Sequence, residues 1–231
     1  MKARAWINVE RVDVLSSIFR RLKECRCISK IVELDPQFKA VKILVKSKDR
    51  DTALLLTVSN ALISYRLSLR GETYWMEFAR WFSKAEQNDL LTSLDEFLRS
   101  SKGNRSLREQ KINRLKKLAK AGFYGQGKPY TRYKDLSKLW DDLLKALKVD
   151  RNSKTIVFAV KMAYYVYVAS GVEPITPLDL PLPIDLRIAS VSLTSGIVEA
   201  SSNVKKPVNY LVYNHEIPQK AWMMVSKKYG V

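Results

Sequence analysis

Histidine is all but missing from this sequence: His215 is the only one in 231 residues. That scarcity leaves the common zinc sites and the histidine-based catalytic triads without their ligands and bases. Cysteine is nearly as rare. Cys25 and Cys27 sit one residue apart in an apparent helix, a spacing that suits neither a zinc nor an iron–sulfur framework. Long uncharged apolar runs are lacking as well. The stretch from Thr155 to Val172 approaches the length of a membrane span, but Lys161 lies inside it and tyrosines interrupt it. It reads as a buried core helix, with no membrane role. The N-terminus has no cleavable-signal pattern, so the expected location is intracellular and cytoplasmic. Strand-like alternation is almost absent, and neither internal repeats nor low-complexity segments occur.

Acidic charge is also short. Asp and Glu number 23 against 41 Lys and Arg, a formal net charge of +18. Between Ser101 and Lys154 there are 16 basic residues and 5 acidic ones. An excess concentrated in one region suggests a local basic face and a polyanionic partner, with a generally charged, solvated surface as the plainer alternative.

What is present is helical periodicity. In "VDVLSSIFRRLKEC", Leu15, Ile18, Phe19, Leu22 and Cys25 follow the spacing of an amphipathic helix. "DTALLLTVSNALISYRLS" is apolar nearly all round, as a central helix would be. "SLREQKINRLKKLAK" opens with a capping-box pattern, Ser106 to Glu109, and "DLSKLWDDLLKALK" carries Leu136, Leu139, Trp140, Leu143 and Leu147 on one stripe. "KAVKILVKS" also reads as helical. The fold class is all-α. Two irregular zones interrupt it. "GFYGQGKPYTRY" (122–133) matches the Walker A spacing, but Pro129 stands where a magnesium-binding hydroxyl is needed and no strand precedes it. A phosphate-contacting loop on a nucleic-acid surface suits its lysine, arginine and tyrosines better. "GVEPITPLDLPLPID" (171–185) has too much proline for a helix and reads as an extended connector ending at Asp185.

The most informative stretch is "NSKTIVFAVK". Lys154 and Lys161 are seven residues apart, about 700° of helix rotation, so they share a face with Phe158 between them. Lys154 stands in the first turn, with Asn152 or Ser153 as its cap. There the helix dipole, the second cation and partial burial all favour a neutral, nucleophilic amine. The bland alternative is that both stems reach solvent or pair with carboxylates. Asp185 follows the stiff "PLPI" and lies at the next helix start, where it serves as an N-cap, as an acid brought back toward the lysine, or as both.

Two blocks, "SNALISYRLSLRGETYWMEFARWFS" and "KTIVFAVKMAYYVYVASGVEPITPLDLPLPIDLRIA", resemble the archaeal 8-oxoguanine DNA glycosylases, the AGOG branch of the helix-hairpin-helix DNA glycosylases; "LDPQFKAV" fits as well. The resemblance implies two helical subdomains with a cleft between them, residues 58–150 forming one and residues 1–57 with 151–231 the other. It implies Lys154 and Asp185 as catalytic residues, Phe158 stacking on an extruded base, Gln37 hydrogen-bonding it, and Trp75 and Lys161 lining the pocket. It further implies a monomer that needs no cofactor and no metal and acts on double-stranded DNA, or single-stranded DNA, containing 8-oxoguanine. Family members continue past the equivalent of "KKYGV" into a helix carrying an acidic residue and a tryptophan that hold the base, whereas this sequence stops at Val231. Trp222 belongs to the preceding helix. A non-catalytic DNA-binding protein and an enzyme acting only at abasic sites therefore remain as alternatives.

Overall fold

The computed structural model describes residues 4–25, 27–85, 89–125, 127–177 and 179–229. It is helical except for two three-residue strands. In chain order the elements are β1 (Ala5–Ile7), α1 (Val9–Glu24), α2 (Cys27–Leu34), α3 (Pro36–Ser47), α4 (Arg50–Ile63), α5 (Gly71–Lys84), α6 (Leu90–Ser100) and α7 (Arg108–Lys120). They continue with α8 (Pro129–Arg132), α9 (Leu136–Leu147), α10 (Lys154–Ala169), α11 (Leu186–Thr194), β2 (Val198–Ala200), α12 (Pro207–Tyr213) and α13 (Glu216–Tyr229). Among the described residues, no helix is long and apolar enough to cross a membrane.

The chain forms two compact units, Met1–Lys30 with Leu178–Val231, and Ile31–Pro177. These boundaries differ from the expected 58–150 against 1–57 with 151–231. The physical reason is packing: α3 lies against α5, and α10 lies against α3, α4 and α9, which draws residues 31–57 and 151–177 into the middle unit.

In the first unit β1 pairs antiparallel with β2, Trp6 opposite Glu199, and α1 packs on α13. Val12, Ile184, Ala189, Ile197, Leu211, Ala221 and Val225 form its core. The expected α1 stripe is shifted. Val12 and Ser16 are the buried positions, Leu15 and Phe19 pack at the margin, and Ile18 is 45% exposed. Trp222 is structural, its Nε1 donating to Ser192 Oγ at 2.9 Å and its ring edge-on to Phe19. Cys25 and Cys27 lie at the junction of two helices and are joined as a disulfide.

In the middle unit α4 is buried from Ala53 through Ile63, as its all-round apolar sequence requires. Below it runs a buried polar line: Lys111 Nζ donates to Asn104 Oδ1 (2.6 Å), Asn104 Nδ2 to the Tyr74 hydroxyl (2.7 Å), and that hydroxyl to Asn60 Oδ1 (2.5 Å). The capping box expected at Ser106 does not form. Leu107, in the left-handed region at φ 54°, takes the N-cap position of α7 and makes no side-chain cap. The loop 122–133 is likewise not the tyrosine-bearing surface expected. Tyr133 is fully buried, Tyr124 bonds to Ser59 Oγ at 3.0 Å, and Tyr130 stacks on Tyr167. Pro129 at the start of α8 turns part of this loop helical.

The described parts of the proline-rich connector are non-helical and are hydrogen-bonded within their own units. Ile175 bridges to Lys134 and Leu136 in the middle unit, through Ile175 N to Lys134 O and Leu136 N to Ile175 O, both 2.9 Å. In the first unit Gln219 Nε2 donates to Leu182 O at 3.1 Å, and Ile184 enters the core.

Candidate active site on helix α10

Helix α10 buries Ile156, Val157, Ala159, Val160, Met162 and Ala163. Its exposed residues, Lys154 and Lys161, share one stripe, with Phe158 half-buried between them. The two ammonium groups therefore lie together on one exposed face of a core helix. Lys154 is the first helical residue, after Ser153, whose side chain makes no capping bond. The positive end of the helix and the second cation are as expected, but the partial burial is not: the Lys154 side chain stands in the open.

Lys161 is paired. Its Nζ lies 3.5 Å from Asp35 Oδ2 and 4.9 Å from the centre of the Tyr165 ring. Asp35 is the N-cap of α3, its Oδ1 accepting Gln37 N at 2.8 Å, while Oδ2 accepts the Tyr165 hydroxyl at 2.7 Å. Burial and the adjoining Asp35 carboxylate push the Tyr165 hydroxyl well above the ordinary phenol range, so it remains a donor. One aspartate thus fixes the start of α3, the tyrosine and the second lysine.

Gln37 follows from that cap. Pro36 occupies the first helical position, and the Gln37 side chain reaches the start of α5: a β-carbon at Gly71 would lie 3.9 Å from its Nε2. One turn further along α5, Trp75 is 1% exposed and meets Phe158 edge-on, ring centres 6.1 Å apart. Trp75 is consequently a rear wall behind Phe158, with no open face of its own. Gln37, Trp75, Phe158 and Lys161 are brought together where α3, α5 and α10 meet, with Lys154 at the head of the same helix.

Asp185 belongs to the other unit. It is exposed and is the N-cap of α11, accepting Ile188 N at 2.8 Å. Gly230 and Val231, after which the resemblance implies a further helix, lie outside the described residues. Among the described residues no group of three or more His, Cys, Asp or Glu is placed to hold a metal ion.

Sequence reasoning passed over Asp35, Tyr165 and Arg114. Asp35 carried a signal, the Asp-Pro pair that opens a helix, and Tyr165 continues the Lys154–Lys161 stripe by one more turn. Arg114 gave none, because its partners, Leu62 O at 2.8 Å and Thr155 Oγ1 at 3.1 Å, are distant in sequence.

Residues 16–231 match the AGOG family, described as N-glycosylase/DNA lyase. The N-glycosylase/DNA lyase of Methanopyrus kandleri is 37% identical over 164 residues, 69% of this chain and 66% of that protein. That of Aeropyrum pernix is 33% identical over 234 residues, covering 97% and 79%. The solved structure of the 8-oxoguanine DNA glycosylase from Pyrobaculum aerophilum, complexed with 8-oxoguanosine, matches with a TM-score of 0.79 and 27% identity over 97% of this chain and 83% of that one. The fold is that of a predominantly helical DNA glycosylase. The chain belongs to the AGOG family of N-glycosylase/DNA lyases.

Proposed function

We propose that this protein excises 8-oxoguanine from DNA and then cuts the strand at the abasic site, with Lys154 as nucleophile. The observation that carries the proposal is the stripe on α10: an exposed lysine at the helix head, and one turn later an aromatic ring backed by Trp75, with the Gln37 side chain at the start of the same helix α5 that carries Trp75.

A base inside a duplex must be extruded before its glycosidic bond can be reached, at a cost of a few kcal/mol. Stacking on Phe158 offsets about 1–3 kcal/mol of that, and the amide of Gln37 supplies hydrogen bonds to the base edge. Lys161, held by Asp35, adds positive charge beside the pocket. In its unprotonated form the Lys154 amine attacks C1′ of the sugar, and the bond to the base breaks. The departing base takes up a proton. Asp185 assists removal of the proton from the amine and stabilises the cationic sugar. The C1′–O4′ bond then opens to give a protonated Schiff base, which acidifies the C2′ hydrogens. Loss of one of them expels the 3′ phosphate by β-elimination, and water releases Lys154 from the unsaturated sugar. The residues in this account need no metal or organic cofactor. The substrate is lesion-bearing DNA, duplex or single-stranded, acted on by a monomer.

Borohydride trapping tests the assignment. Wild-type protein on an 8-oxoguanine duplex is expected to form a covalent adduct, and Lys154→Gln none, with duplex binding retained. A trapped adduct in Lys154→Gln equal to wild type overturns the role of Lys154. An adduct on a preformed abasic duplex alone leaves the lyase chemistry without base excision.

A further inference from the structure

One residue beyond Lys154 the surroundings change completely. Thr155, a little over a quarter-turn from Lys154 on α10, opens onto a cleft of about 960 Å3 walled by α7, the segment after α4, and the end of α9 with the turn that follows it. Five cations line it: Arg66, Arg114, Lys116, Lys117 and Lys120. None of the lining residues is acidic; the remainder are uncharged polar side chains, Tyr65 and two aliphatic residues. Lys116, Lys117 and Lys120 are exposed on one side of α7, whose opposite side buries Ile112, Leu115 and Leu118. Holding this many like charges around one cavity costs repulsion, which a polyanion inside it would relieve.

The cleft is built, since its floor is fixed. Arg114 donates from one nitrogen to Leu62 O and to Thr155 Oγ1, joining the end of α4 to the first turn of α10. Its guanidinium also lies over the Tyr65 ring, 5.4 Å from the centre, and Tyr65 donates to Gln110. Arg66 takes a left-handed backbone conformation, φ 45°, which L side chains seldom adopt and which marks a position fixed by its surroundings.

We infer that this cleft seats the sugar–phosphate backbone of the bound DNA, with Lys117 and Lys120 contacting successive phosphates beside the nucleotide that reaches Lys154. The inference rests on the reading of the protein as a DNA glycosylase. The groups at hand suit phosphate more than base edges: ammonium and guanidinium donors outnumber the amides Gln110 and Asn113, and phosphate contacts supply affinity without sequence preference. A lesion enzyme that works wherever damage falls needs affinity of that kind.

The test is the salt dependence of duplex binding for the full chain, measured by fluorescence anisotropy on undamaged DNA so that no chemistry is involved. The double variant Lys117→Ala/Lys120→Ala is expected to lower the slope of log Kd against log salt by about 2, near 0.9 for each phosphate lost. The control Lys134→Ala/Lys138→Ala, two exposed lysines of the same unit outside the cleft, is expected to leave the slope unchanged. Thermal melting of all three proteins establishes that they are folded. An unchanged slope in the cleft variant, or an equal fall in both variants, overturns the inference. Failure of wild-type protein to trap on either damaged duplex would instead overturn the catalytic reading, and the slopes would still report on the cleft.

Discussion

Asp35 and Tyr165 are joined by a 2.7 Å hydrogen bond although 130 residues separate them in the chain. The other oxygen of the same carboxylate caps α3. Through this one group the helix that presents Gln37 is tied to the helix that presents Lys154, Phe158 and Lys161. The middle unit thus holds the side chains proposed to bind the base on a common support.

Asp35 therefore has two separable duties. Asparagine caps helices about as well as aspartate, so Asp35→Asn should lose less than about 1 kcal/mol of stability, the worth of a partly exposed ion pair. Asp35→Ala should lose about 1–2 kcal/mol, from the cap together with the stranded tyrosine hydroxyl. Urea denaturation of the pair decides it; equal losses would mean that the cap contributes little.

Lys111 makes stability depend on pH. It is fully buried, and burial lowers its ammonium from the ordinary 10.5 to about 8. Between those values the unfolded chain binds the proton and the folded chain does not, so stability rises with pH from about 8 upward and carries the whole penalty below 8. The buried tyrosines oppose this at higher pH. Tyr74 and Tyr124 resist ionising in the fold, so stability falls again above pH 10. Melting curves from pH 7 to 9.5 should show wild type gaining stability, and Lys111→Met should be flat over the same range. A parallel rise in both proteins would assign the effect to another group.

Asp185 offers the same separation of roles on the other unit. Asp185→Asn keeps an oxygen for Ile188 N and should melt within about 0.5 kcal/mol of wild type while single-turnover excision falls at least tenfold. Asp185→Ala should add about 1 kcal/mol of instability to that same loss of rate. If Asp185→Asn retains full activity, the aspartate is only a cap.

What could be read in the sequence was what local geometry determines. The shared face of Lys154 and Lys161 follows from helix rotation alone, and Asp185 announced itself as a cap by standing between a proline run and a helical stretch. Three features escaped because their causes are remote. The division into units depends on α10 choosing α3 and α4 as neighbours. The tyrosines of the 122–133 loop share their segment with cations, and composition does not say which side chains turn inward; Tyr130 on Tyr167 does. Leu107 is a third case. No local rule expects leucine in a left-handed cap, and only the surrounding fold can impose one.

A helix that advances 100° with each residue lets sequence neighbours face different surroundings, and Lys154 and Thr155 do so. An organism adapting to a saltier or hotter cell could exchange lysines along α7 one by one, raising or lowering its grip on nucleic acid, while the amine a quarter-turn away keeps its place. On the proposed roles, tightness of hold and power of reaction are thereby free to drift apart.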